Sequence, residues 1–317
     1  MWSIDLVDAE TLRRTGSFEA FDGRSAVAIE YAPDGRRLAV AGVGGGVGVW
    51  DAASGRRLGP LLRAPRGRVA NNPHTVQAVA FGPGGLLAAA EVGGTVRVWD
   101  VGRRELAGPP LRLSPFVLGL AFSPDGSRLA IPFGAVSAKG GDGVEVRDVE
   151  SGRRLARLPV DGEVRTVAFS PDGGLLAGGQ LDGAALLWAT DRWERVGAPL
   201  ALREATALAA DFSPDSRTLA TSHADGAVVL WDVRSQQPIG SPLALPGSPR
   251  ELYTTARFSP DGKRLFAVHE DGRAFRWEVD PAAWRKHACA VVGRGLTPEQ
   301  WEEIVPEQDY IPVCRSG

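Results

Sequence analysis

The chain has 317 residues, 44% of them hydrophobic and 23% charged, which is enough apolar material for a sizeable core and excludes a disordered chain. A net charge of −2 without any long run of Lys or Arg leaves out the electrostatic footprint of a nucleic-acid binder. The opening residues have no secretory pattern and no stretch of about twenty apolar residues occurs, so a cytoplasmic protein with no membrane contact is expected.

In chain order, Trp2-Ser3-Ile4-Asp5-Leu6-Val7-Asp8 resembles the third strand of a unit repeated downstream, and Leu12-Arg13-Arg14 the start of its fourth. The first two strands of that unit are missing. Six times thereafter an aromatic residue leads into a turn, usually written with proline, aspartate and glycine: from Tyr31, Phe81, Phe122, Phe169, Phe212 and Phe258, at spacings of 41 to 50 residues. Proline presets φ, aspartate bonds nearby backbone and glycine accepts the strained exit, so strands are expected on both sides. The strand before is apolar, as in Val164 to Phe169; the strand after is rich in alanine, as in Leu38 to Ala41.

A hairpin signature follows (Gly93-Gly94, Asp182-Gly183, Asp225-Gly226, Asp271-Gly272), and six residues beyond its first member stands Trp99, Trp188, Trp231 or Trp277. Trp50 holds the same place in the first repeat and Arg147 in the third. The fourth strand carries proline (Pro60, Pro109, Pro199, Pro242), which cannot donate to a ladder and marks an edge. Sheets with one blunted edge each, repeated along a chain, predict radially arranged blades.

The apolar strand, Phe-Ser-Pro-Asp-Gly, Asp-Gly turn and Trp-Asp together resemble the WD-repeat family of β-propellers over residues 2 to 279. The fold class expected is therefore all-β: six recognisable repeats plus a partial N-terminal blade, making seven blade positions, followed by a short helical extension. Two closures are open: the N-terminal segment supplies the last repeat's missing outer strand, or it is a partial seventh blade. Family members usually carry a Gly-His pair completing a buried His-Ser/Thr-Asp-Trp network. Here His74 is the sole candidate and lies too close to Val76, so packing is expected to carry stability.

Residues 280–317 form the expected second unit. Asp280-Pro281 starts a helix continuing to Val292 and ending at Gly293; Thr297-Pro298-Glu299-Gln300 is a capping box for a second, with Trp301 and Ile304 on its apolar face. This tail resembles the segment closing WD-repeat regions of bacterial signal-transduction NTPases, where such propellers act as sensors. Both cysteines, Cys289 and Cys314, lie here, and a disulfide between them is the less favoured reading in a cytoplasmic protein.

No catalytic, cofactor-binding or metal-binding site is expected. The glycines from Gly42 to Gly48 lack the Lys-Ser/Thr and following helix of a phosphate cradle and read as a hairpin turn. Ser222, His223 and Asp225 are triad residue types, yet neighbours on one turn rarely aim at each other. In a propeller the loops between outer and first strands share a face with those between second and third strands. That face is the expected protein-binding surface, carrying Arg66, Arg68, Asn71, His74, Glu163, Gln180, Glu204, His223, Arg250, Glu251, His269 and Glu270. The function expected is a non-catalytic protein-interaction scaffold in a bacterial signalling protein, the 33 arginines among 36 basic residues suiting a GC-rich genome. A restraining domain of a larger NTPase or kinase is the alternative, an enzyme using the central channel the least favoured one. The chain is expected to be a monomer or one part of a larger multidomain protein.

Overall fold

The computed structural model describes residues 3–21, 25–43, 46–63, 75–113, 116–134, 143–202, 205–244, 254–269, 272–292 and 297. Among the described residues six antiparallel sheets of three to five strands follow one another along the chain as the blades of a propeller, and one α-helix, Pro281–Val292, follows the last. In every blade the first three strands pair in chain order; in the fourth, for example, Val164–Phe169 pairs Leu175–Gln180, which pairs Ala185–Ala189.

The turn joining first and second strands is built by its serine. The buried Ser170 hydroxyl donates to Asp172 Oδ1 (2.6 Å) and accepts from the Leu175 N–H (2.9 Å), while Gly173 takes φ 74°. Ser123, Ser213 and Ser259 repeat the arrangement with Asp125, Asp215 and Asp261. Ala32 and Gly82 stand at the serine's place in the first two blades; backbone bonds close both turns, and in the first Asp34 Oδ1 also accepts from the Arg36 N–H (2.8 Å).

The fourth strands are short and broken where proline falls. In the second blade Glu105–Leu106 and Leu111–Arg112 flank Pro109-Pro110, and in the fifth Gln237–Pro238 and Leu243–Ala244 flank Pro242. The third blade has no proline inside its outer strand, and Arg154–Pro159 runs unbroken. Its break lies instead in the first strand, split into Phe116–Val117 and Ala121–Phe122. The Pro132 carbonyl accepts from the Leu118 N–H (3.2 Å), so the side of Pro132 that lacks a donor faces this strand.

The core lies between blades. From the second blade to the last, each turns its second-strand leucine, and all but the third its tryptophan, toward the preceding blade, while the first five turn small residues toward the next: Ala39, Ala41, Val47 and Val49 meet Val79, Phe81, Leu87 and Trp99, and four similar clusters follow around to the last blade. Alanine at the seam lets neighbouring sheets approach closely.

The N-terminal hairpin, Ile4–Val7 with Arg14–Phe18, is a separate two-stranded sheet. Ile4, Phe18 and Phe21 pack on Leu38, Val40 and Trp50 of the first blade. Its turn meets the last blade through the Glu10 carboxylate, 3.6 Å from Arg264, and the Glu10 carbonyl, which accepts from Arg276. The hairpin does not pair with Ala274–Glu278, so it is not the outer strand of the last blade, which is three-stranded among the described residues.

At the other end Asp280 caps the helix, its Oδ1 accepting from the Ala282 N–H (2.8 Å), with Pro281 in the first turn. Cys289 is disulfide-bonded, against the expectation of a free thiol; the chain's other cysteine, Cys314, and the expected second helix beyond Thr297 lie outside the described residues.

Candidate functional site

Four side chains expected on the loop face are described, and three of them are buried. Gln180, His223 and His269 are exposed by 4% or less. Each closes the second strand of its blade just before the glycine turn, and each turns its polar atoms inward. Gln180 Nε2 donates to the Asp161 carbonyl (3.2 Å), and His223 Nδ1 bonds the Ala205 carbonyl (2.9 Å). His269 Nε2 lies 3.3 Å from Thr254 Oγ1. Glu91, buried at the same place in the second blade, pairs with Arg97. The reading of these three as exposed contact residues is therefore corrected: a polar group buried at the end of the second strand is satisfied by the start of the same blade's first strand or the segment leading into it, and it fixes that segment.

Backbone bonds reinforce the tie. The N–H of Leu181 donates to the Glu163 carbonyl (2.9 Å), that of Ala224 to Thr206 (2.9 Å) and that of Val92 to Thr75 (2.8 Å). The two loop sets of the face are thus joined in one scaffold. Glu163 sits on that scaffold half-buried, its carboxylate 2.6 Å from Arg165 Nε, and the nearby Phe116 is 48% exposed. Arg66, Arg68, Asn71, His74, Glu204, Arg250, Glu251 and Glu270 lie outside the described residues.

Blade five holds a buried polar chain that the missing Gly-His pair had argued against. Trp231 Nε1 donates to Thr221 Oγ1 (3.0 Å), which lies 3.0 Å from His223 Nε2. The Ala205 carbonyl only accepts, so Nδ1 of His223 carries a proton and donates to it. The histidine comes from the end of the second strand, so the network forms without the expected motif. The same geometry removes any triad here. Ser222 and His223 are adjacent in a strand and face opposite sides, Ser222 Oγ accepting from the Ala256 N–H of the next blade (3.1 Å), while Asp225 caps the Ala227 N–H (3.1 Å).

A charged set facing the axis escaped the sequence reading. At the residue before each turn aromatic, three blades have Ala80, Ala121 and Ala168, and the other three have Glu30, Asp211 and Arg257. Burial raises the carboxyls of Glu30 and Asp211 above the ordinary range, and Arg257, close enough to act on both, opposes that rise. Asp211 Oδ2 also accepts from the Phe258 N–H (2.7 Å). Aligning the repeats on their aromatics is the signal that would have found this set.

Among the described residues no group of three or more His, Cys, Asp or Glu is placed to hold a metal ion, and no helix is long and apolar enough to cross a membrane. A recess of about 340 Å³ lies on the far side, between the serine turns of blades five and six and the C-terminal helix, lined by Pro214, Phe258, Val279 and Trp284.

Residues 152–189 and 204–232 match the family model described as WD domain, G-beta repeat. No curated protein matches the chain. Among the described residues the fold is a six-bladed β-propeller, with WD40-type repeats at the matched segments, followed by a short C-terminal helix.

Proposed function

We propose that this chain is a non-catalytic platform that binds another protein on the face formed by the loops before the first strands and after the second strands. The observation that carries the reading is the anchoring of that face from below: Gln180 and His223 hold the loop backbone through buried hydrogen bonds, so the loops are presented on a rigid base. Fold alone does not name a function. The further reading, a sensor or docking module of a bacterial signalling protein in the cytoplasm, rests on the resemblance of the tail and on the arginine-rich composition.

The same proposal reads residues 1–279 as the propeller and 280–317 as its tail, and the N-terminal hairpin as the outer half of a seventh blade position. Support for the last point comes from the hairpin's contacts, apolar with Trp50 on one side and polar with Arg264 on the other. The platform is tested by capture from native lysate. Charge reversal at Arg68, Glu163 and Arg250 is expected to abolish capture of a specific partner with the melting temperature unchanged. Undiminished capture by the reversed protein refutes the assignment of this face.

A further inference from the structure

The seam between the last blade and the first is built unlike the other five. Where first-strand residues face the preceding blade, Val79, Phe81, Phe122, Val167, Phe212 and Ala256 are buried and Leu120, Phe169 and Phe258 half-buried. Their counterparts in the first blade, Ile29 and Tyr31, are 47% and 52% exposed, and Val27 beside them 46%. Across the seam the last blade presents Phe266 and Val268 where the others present small pairs such as Ala39 and Ala41, Ala88 and Ala90, or Ala177 and Gly179. Val268 is 51% exposed.

The hairpin between these faces has the place of third and fourth strands. A third strand in the complete blades is paired along both edges, whereas Ile4–Val7 pairs only with Arg14–Phe18 among the described residues. Among the described residues no strand pairs with its other edge, whose row of backbone donors and acceptors is a template for strand addition.

We infer that this slot receives a two-stranded antiparallel hairpin from a partner polypeptide, added to the free edge of Ile4–Val7 and covering Ile29, Tyr31 and Val268. The inference rests on the reading of the N-terminal hairpin as the outer half of a seventh position. The occupant's chemistry follows from the inner strand pairs of this chain: alternate apolar residues on two short strands joined by a tight turn, as in Val164–Phe169 and Leu175–Gln180. The surface it covers continues an interface already formed. Tyr31 lies opposite Leu38 and Ile29 opposite Val40 in register, and Leu38 and Val40 belong to the core under the hairpin. Covering the first two would extend that core to the axis, as in the other blades.

The probe is a labelled synthetic peptide copying residues 163–180, titrated onto the full chain with a scrambled peptide as control. Saturable binding is expected, with amide exchange at residues 4–7 slowed about tenfold by the peptide. The double change Ile29→Glu and Tyr31→Glu is expected to weaken binding more than tenfold, about 1.4 kcal/mol per factor of ten, and to leave the melting temperature in place because both side chains are exposed. The inference is overturned by absence of saturable binding or by binding indifferent to the double change. It is also overturned if the free chain already protects residues 4–7, whether that protection rises with protein concentration, as for a second copy, or disappears on deleting residues 293–317. Phe18→Ala separates the two layers. If it destabilises the chain while the peptide fails to bind, only the occupant is wrong; if it changes neither stability nor tryptophan emission, the seventh position itself is wrong.

Discussion

His223 shows how a polar residue's role depends on which side of a strand it falls. Its side chain shares a face with Thr221 and Trp231, so it joins a buried chain of donors and acceptors in place of the loop surface. Thr221→Val keeps the shape and strands the indole N–H and the imidazole Nε2. A loss of about 1–3 kcal/mol in urea denaturation is expected.

The serine-bonded aspartates set a pH dependence. Hydrogen bonds from Ser123 and then Ser127 lower Asp125 to about 2, and Asp172, Asp215 and Asp261 are lowered in the same way, chiefly by their own serines. A carboxyl lowered on folding contributes stability above its unfolded pKa, and loses it as pH falls through the folded value. Stability is therefore expected to decline from roughly pH 4 toward about pH 2, and Ser123→Ala to flatten part of that decline in denaturation curves taken across the range. Glu30 has the opposite sign. Its carboxyl is raised, so protonation favours the folded state and stability is lost as pH rises through the folded pKa. Glu30→Gln is expected to raise the melting temperature at neutral pH relative to acid.

At the level of the element, blades differ where single residues break the repeat. Arg147 takes the tryptophan's place in blade three and pairs through Nε with the buried Glu145 (2.8 Å), replacing an apolar contact by a paired charge. Small residues at the seams carry the packing. Ala39→Leu drives a side chain into a fully buried seam and is expected to cost about 1–3 kcal/mol by overpacking. Val268→Ala, at the open seam, is expected to stay within about 0.5 kcal/mol in the same assay. Equal losses from the two changes would mean that the last blade is as tightly covered as the first five.

Across the whole molecule, apolar clusters join the six blades in series and join the hairpin to the first blade, whereas Glu10, Arg264 and Arg276 supply the contacts between hairpin and last blade. Ions near the surface hold weakly and are screened by salt. The hairpin's junction with the last blade is expected to be the first to open. Raised ionic strength should speed amide exchange at Glu10 and Thr11 before it affects Leu87 or Leu176; simultaneous acceleration would contradict this order.

Much of the architecture was legible because the repeat is written in local chemistry. Ser-Pro-Asp-Gly closes a turn by bonds within five residues, glycine admits positive φ, and proline breaks an outer strand, so six blades, their order and the helix after Asp280 follow from short-range rules. The face residues were less legible. Gln180, His223 and His269 sit at turn positions that read as exposed, and their burial depends on segments 15 to 19 residues earlier in the chain folding back over them. Glu30, Asp211 and Arg257 become one charged group only once distant repeats are arranged about an axis. Cys289 likewise is disulfide-bonded, the reading that cysteine usage favoured less. What the sequence alone determined was thus each blade's internal pairing, where the interacting groups are near in the chain. Which side chains are covered, and that one seam stays open, the tertiary structure decided, because burial depends on the neighbour that packing brings.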